Sequence, residues 1–288
     1  MPPVTPTLNL IGAGRVGQTL GRLWQQHGVF ALQDVLTNSA ASAQAACGFM
    51  GGGTPVERLA LMRPAHVWML AVPDAQIAAV AQALAAQAGS APAPATIFHC
   101  SGAQGSALLQ PLRDRGWHSA SAHCILSFAS VEAAIQQFPG TPCALEGDAP
   151  AIATLHAAFS AINARCFPVQ SQHKLLYHAA AVFATNFLPV LQHVAEAAWT
   201  ASGVPEDLLP GLRAALLHNA VANITRLGPA GALTGPAARG DVAAIATQAV
   251  AVAQWDAQAG AAYEALSALA LRMAKASTEA SATPASKR

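Results

Sequence analysis

The segment Leu8-Asn9-Leu10-Ile11-Gly12-Ala13-Gly14-Arg15-Val16-Gly17 constrains this chain more than any other. Three glycines in GxGxxG spacing carry little weight alone. Here they follow an apolar strand and open a helical run through Leu20 and Leu23, at the head of a strand–helix–strand pattern. In that setting Gly12 permits a tight turn, Gly14 lets the backbone approach a diphosphate, and Gly17 lets helix pack closely on strand. The helix N-terminus adds unpaired N–H groups and the positive end of the helix dipole. The motif predicts a dinucleotide cradle made of Gly12, Ala13, Gly14, Arg15, Val16 and Gly17.

The rest of the chain falls into two styles. Residues 7–11, 30–36, 66–72, 95–99 and 143–145 read as strands, with helices over 15–27 and 74–88 between them. Strands alternating with helices imply a parallel sheet with crossovers, here a Rossmann-type, doubly wound α/β fold. From about Gln170 strand signals stop, and 171–202, 205–227, 241–253 and 256–275 read as successive helices. The expected organisation is a dinucleotide-binding domain over 1–169, an all-α substrate and dimerisation domain over 170–276, and a disordered tail over 277–288. The Ala/Gly/Pro stretch at 88–95 reads as a surface loop.

The end of the second strand selects the nucleotide. An NAD site places Asp or Glu there to bind the ribose hydroxyls. This chain has Thr37-Asn38-Ser39, which accept a 2′-phosphate without repelling it, so NADP is favoured over NAD. Asp34, the nearest acid, falls inside the strand pattern at a position read as solvent-facing. Val72, Pro73 and Asp74 end a buried strand and are expected to flank the cofactor.

Composition excludes several classes. Lys and Arg number 15 against 14 Asp and Glu, a formal net charge of +1, which disfavours nucleic acid or an anionic membrane as partner. Charged residues are only 10%, far under the roughly 25% of ordinary soluble domains, and mean hydropathy is +0.36. Residues 175–195 carry no Asp, Glu, Lys or Arg, yet hold His178, Thr185, Asn186, Pro189, Gln192 and His193. A buried core helix is therefore expected rather than a membrane span. Residues 1–7 lack the basic and apolar regions of a secretory signal. Five scattered cysteines without a CxxC pair suit reduced thiols in a cytoplasm.

Several further segments are specific enough to indicate a family. They are Ala71-Val72-Pro73-Asp74, His99-Cys100-Ser101-Gly102-Ala103, Glu146-Gly147-Asp148, Lys174-Leu175-Leu176-Tyr177-His178-Ala179-Ala180-Ala181 and Thr234-Gly235-Pro236-Ala237-Ala238-Arg239-Gly240-Asp241. With the glycine motif they make the chain, over roughly residues 7 to 275, resemble a family of proposed NADP oxidoreductases. In that family a Rossmann-like domain precedes a helical domain of unassigned function. The resemblance extends to β-hydroxyacid dehydrogenases, ketopantoate reductases and pyrroline-5-carboxylate reductases. It implies a nicotinamide cofactor, a helical C-domain that often dimerises, and catalysis in a cleft between the domains. Ser101-Gly102-Ala103 is similar to a Ser-Gly-Gly loop that binds a substrate carboxylate. Lys174 and His178 hold the positions of a Lys and an Asn on the first helix of the second domain. His123-Cys124 stands where the family usually has His-Pro, and Asn38 where it has a basic residue.

Hydride reduction of a carbonyl needs a proton donor at the oxygen. Lys174 and His178, four apart on a predicted helix, share a face. The reading makes Lys174 the general acid and His178 its orienter or a substrate ligand, with Ser101 completing the catalytic set. Gly102, His123, Asn186 and Arg239 are candidate substrate contacts. Arg239 can fork onto a carboxylate or phosphate, and Asp241 is placed to cap the following helix. His99 and His123 each end a predicted strand, and no metal-ligand spacing is present. The expected activity is NADP-dependent reduction of a small keto-acid, aldehyde or ketone. The alternatives are a pyrroline-type imine reductase and a nicotinamide-binding regulatory module without turnover.

Overall fold

The computed structural model describes residues 5–87 and 95–282. The first four residues, the segment 88–94 expected to be a surface loop, and 283–288 of the expected tail lie outside the described residues. The chain divides into two compact units at Ala184/Thr185.

The first unit is an eight-stranded sheet: β1 (Thr7–Ile11), β2 (Ala31–Leu36), β3 (Thr54–Val56), β4 (Val67–Leu70), β5 (Thr96–His99), β6 (His118–Cys124), β7 (Pro142–Gly147) and β8 (Arg165–Pro168). Their spatial order is β3-β2-β1-β4-β5-β6-β7-β8. All neighbours pair in parallel except β6 with β7. The helices between strands are α1 (Arg15–Gln26), α2 (Ala40–Met50), α3 (Asp74–Gln87), α4 (Gln110–Arg113), α5 (Val131–Gln137) and α6 (Ala149–Ala161). The doubly wound α/β expectation holds. The pattern missed α2, α4, α5, α6, β3 and β8, and marked β6 only by its end at His123.

Period-2 alternation divides the strand residues between two cores. Leu8, Leu10, Val67, Met69 and Phe98 pack on one face around Trp24, whose Nε1 donates to Ala158 O at 3.0 Å. Ile11, Trp68, Leu70 and Ile97 pack on the other against α3 and α4. A sheet covered on both faces needs near-continuous apolar strands, and β4 and β5 are buried throughout.

Asp34 corrects the sequence reading. It is 1% exposed, not solvent-facing. Its carboxylate accepts from Arg63 N and Nη2, each at 2.6 Å, and from Nε at 3.1 Å. Farther along the sheet, Cys124 faces Cys143 across β6 and β7, and Cys143 faces Cys166 across β7 and β8. The Cys124 thiol donates to Cys143 Sγ at 3.6 Å, and all five cysteines are free thiols.

After a short turn at Ser171–His173, α7 (Lys174–Ala181) continues through one wide π-type turn, Val182–Asn186, into α8 (Phe187–Ala201). The division between units falls inside that turn, later than the residue 169 boundary, because Lys174 and Tyr177 are tied to the sheet unit. The second unit comprises α8, α9 (Leu209–Ala232, broken at Gly228), α10 (Gly235–Ala238), α11 (Val242–Trp255) and α12 (Ala257–Ala282). Asp241 caps α11 by accepting from Ala244 N at 3.0 Å. Helix α12 runs to Ala282, so residues 277–282, expected to be disordered, are helical.

A second correction concerns the stretch from Ser171 to Ala201. It has mean hydropathy 1.3, but none of its most apolar window is buried within the chain. Leu175 is 71% and Leu176 75% exposed. It is not a core helix of the single chain.

Candidate functional site

Two adjoining pockets open at the carboxyl edge of the parallel strands, where doubly wound sheets place ligands. The first, of about 490 Å³, is lined by Gly12, Ala13 and Gly14 from the turn after β1, by Leu36, Thr37, Asn38 and Ser42 around the end of β2, and by Ala71, Val72 and Pro73 after β4. Gly12 has φ +87°, and a Cβ there would lie 2.5 Å from Ala71 O, so only glycine fits. A Cβ on Gly14 would meet nothing within 4 Å, because that residue faces the open groove. Gly14 precedes α1 with no side-chain cap, which leaves first-turn N–H groups directed outward.

The predicted cofactor residues separate here. Gly12, Ala13, Gly14, Thr37, Asn38, Val72 and Pro73 line this groove. Gly17 packs inward, where a Cβ would lie 2.7 Å from Gly12 O. Arg15 Nη1 donates to Phe128 O at 3.1 Å. Ser39 caps α2 by accepting from Ser42 N at 3.2 Å, and Ser42 takes its place in the lining. Val16 and Asp74 line the second pocket instead. Sequence reading also missed Arg58, which lines the groove with Thr37, Asn38 and Ser42. It comes from the segment after β3, so no local motif announced it.

The second pocket, about 240 Å³, is lined by Asp74, Ser101, Gly102, His123 and His178 on its polar side. Leu20, Ala122, Leu126 and Phe128 form apolar wall. The Ser101 hydroxyl donates to Asp74 Oδ2 at 2.6 Å and accepts from Ala103 N at 3.2 Å and Gln104 N at 2.9 Å. Ser101 N donates to His99 Nδ1 at 3.2 Å, so His99 Nε2 carries the proton given to Gly105 O at 3.0 Å. Burial holds His99 below the usual histidine range. His99 therefore braces the loop.

Lys174 is 1% exposed and lies beneath that loop. Its Nζ donates to Ser121 Oγ at 2.6 Å and to Ser101 O at 3.1 Å, and Ser121 Oγ also donates to Ser101 O at 3.1 Å. Lys174 is not among the residues lining the pocket. Burial lowers its pKa, and the Glu146 and Asp74 carboxylates oppose that shift. Glu146 closes the network, accepting from Ser106 N at 2.8 Å, Ser106 Oγ at 2.7 Å and Ser171 Oγ at 2.6 Å. Those hydrogen bonds, against the cost of burial, keep its carboxyl below the usual range.

The two pocket histidines differ. His123 Nδ1 is 2.8 Å from Tyr177 Oη, and burial, with His178 and Lys174 adding, pulls its pKa down to about 4. Burial raises the Tyr177 pKa, so the phenol stays protonated. The His123 and His178 rings meet edge to face at 5.6 Å. His178 Nδ1 is buried without a hydrogen-bond partner among the described residues. A Cβ on Gly102 would lie 2.5 Å from that nitrogen and 2.8 Å from His123 Nε2. Gly102 thus lets two imidazoles converge on the chain. Tyr177 sat within a motif noticed in the sequence without a role assigned to it.

Asn186 and Arg239 belong to the second unit. Asn186 is exposed, with Oδ1 accepting from Thr185 Oγ1 at 2.8 Å. Arg239 is exposed where α10 ends, its backbone N–H bonded to Pro236 O at 3.1 Å. Among the described residues no group of three or more His, Cys, Asp or Glu converges as for a metal ion.

Fold and site together define a Rossmann-type nucleotide-binding protein with a helical C-terminal region. Comparison with known proteins is more particular: residues 3–124 match a Rossmann-like domain, and 141–270 match a domain of unknown function, DUF2520. No curated protein matches the chain. Among solved structures, protein TM1727 from Thermotoga maritima is 24% identical with a TM-score of 0.75, covering 94% of this chain and 100% of that one. The proposed NADP oxidoreductase BF3122 from Bacteroides fragilis is 22% identical with a TM-score of 0.70, covering 93% and 98%. A reductive aminase from Aspergillus terreus, solved with NADPH and ethyl-5-oxohexanoate, is 17% identical with a TM-score of 0.64, covering 93% and 94%. At these identities the likeness is one of fold.

Proposed function

We propose that this protein is an NADP-dependent oxidoreductase that reduces a small carbonyl or imine compound in the pocket at Gly102. The observation that carries the reading is the adjacency of two pockets along one sheet edge. Consecutive residues divide between them: Pro73 lines the glycine groove and Asp74 the histidine pocket. The residues of the first would hold a dinucleotide, and the second, beside it, would take the substrate.

The residues fit the cofactor. Gly14 faces open groove where any side chain would intrude, and the N–H groups opening α1 suit a diphosphate. Thr37, Asn38, Ser42 and Arg58 would hold the 2′-phosphate of NADP, with Arg58, beside Glu57 in the same lining, supplying the guanidinium that the end of β2 lacks. Asp34, locked to Arg63, does not compete for the ribose. When bound, the reduced nicotinamide supplies a hydride.

The chain's own residues orient the substrate and manage its proton. Lys174, expected as the general acid, is a positioning residue in this reading, since its ammonium holds Ser101 and Ser121. For a carbonyl substrate the proton-handling role moves to His178, whose unpartnered Nδ1 lies against Gly102. The exposed apolar faces of the helices fit a homodimer in which a second copy covers them, and the free thiols suit a reducing compartment.

The test is a panel of small aldehydes, ketones, keto-acids and cyclic imines followed by NADPH absorbance, with NADPH binding read separately by fluorescence. Gly14→Val is expected to abolish NADPH binding. Undiminished affinity in that variant refutes the cradle.

A further inference from the structure

The loop Ser101-Gly102-Ala103 resembles one that binds a substrate carboxylate, yet the Ser101 hydroxyl and the N–H groups of Ser101 and Ala103 are already spent. A hydroxyl has one proton, and that of Ser101 goes to Asp74 Oδ2 at 2.6 Å. The N–H groups of Ala103 and Gln104 point at Ser101 Oγ, and the N–H of Ser101 at His99. Lys174, beneath the loop, gives its ammonium to Ser101 O and Ser121 Oγ and does not line the pocket. Among the described residues the lining contains no Lys or Arg, and Asp74 is its one carboxylate. A carboxylate entering here would lie against Asp74 with no Lys or Arg in the lining to pair with, which is unfavourable. A cation would meet Asp74 directly.

We infer that this pocket selects a small organic cation, a protonated imine or the amine it becomes, through Asp74, and turns keto-acids away. The inference rests on the proposed reading of this pocket as the substrate site and names the substrate class within it. The volume of about 240 Å³ falls under the roughly 300 Å³ at which drug-sized pockets begin, so the ligand is small. Leu20, Ala122, Leu126 and Phe128 provide the apolar surface for its carbons.

The chemistry agrees with the residues present. A protonated imine arrives with its proton already on nitrogen. A bound reduced nicotinamide would supply hydride to the imine carbon, the C=N π pair would move onto nitrogen, and a neutral amine and oxidised nicotinamide would result. The amine then takes a proton from solvent. No acid is consumed at the reacting centre, which suits a pocket where His123 is held neutral and the Tyr177 phenol is a weak acid.

The experiment measures binding on the whole protein, with and without saturating NADP+. Pyrrolidinium, cyclopentanone and pyruvate are titrated while the His123 and His178 ring resonances are followed by NMR. Pyrrolidinium is expected to shift both rings and to bind at least about tenfold more tightly than pyruvate, one charge contact being worth roughly that factor. Asp74→Asn keeps an acceptor for Ser101 but removes the charge, and is expected to erase the preference. Pyruvate binding as tightly as pyrrolidinium overturns the inference. So does cyclopentanone binding more tightly, or pyrrolidinium failing to bind. If NADPH does not bind, the proposed oxidoreductase falls, while selective pyrrolidinium binding keeps the cation site standing.

Discussion

Gly102 is where a single methyl group is expected to do most harm. An added Cβ lands 2.5 Å from His178 Nδ1 and 2.8 Å from His123, so Gly102→Ala should force the imidazoles apart. Turnover should be lost while NADPH affinity persists, a split that kinetics and fluorescence titration resolve together. His123 contributes a pH dependence of definite sign. Its folded pKa of about 4 lies below the unfolded value near 6.5, so its stabilisation is complete above pH 6.5 and is lost as pH falls toward 4. The loss is on the order of 3 kcal/mol. Glu146, also depressed, adds to the loss at lower pH. Thermal melts against pH should show this acid-side decline, flattened in His123→Asn. Lys174→Met removes a donor from Ser121 and should cost about 1–3 kcal/mol. In the proposed assignment it slows turnover while leaving NADPH affinity unchanged, which kinetics and fluorescence titration check together.

Among the elements, β2 shows how a buried charge is managed. Asp34 is buried while Arg63 is largely exposed. Arg63→Ala strands the carboxylate and should destabilise by about 3 kcal/mol. Asp34→Asn should cost less, and it should leave NADPH affinity unchanged; chemical denaturation and titration check the two halves. Those residues also mark what a sequence discloses. Residues 7–17 and the strand ending at Leu70 were legible because apolar runs met glycine or proline at fixed offsets. Asp34 was misread because its partner lies across the sheet, beyond β3, and no local pattern encodes that pairing. Strands β3 and β8 are short edge-side pieces, and the Ala-rich α2 and α6 show no sharp apolar stripe. In the site, spacing picked out Lys174 and His178 but could not show which one enters the pocket. Burial and hydrogen bonding decide that, and both are tertiary. Arg58 and Tyr177 were illegible for the same reason.

At the scale of the whole molecule, the low charge content has a structural counterpart. Two buried sheet faces absorb part of the apolar excess, and the helices from Ser171 onward display the rest. The proposed homodimer predicts that sedimentation velocity finds twice the chain mass of 29.3 kDa, and that Leu176→Glu shifts the population toward monomer. A monomeric wild type sinks that part of the reading. The row Cys124, Cys143 and Cys166 across the last three strands has its own consequence. Hydrogen bonding to Cys124, helped by burial, raises the pKa of Cys143, and hydrogen bonding to Cys143, helped by burial, raises that of Cys166. Thiolates are the form that alkylating reagents attack, so Cys143 and Cys166 react slowly while the sheet is intact. Their labelling rate is then a clock for how often that edge of the molecule comes apart. A mass spectrometer can read it on the unaltered sequence.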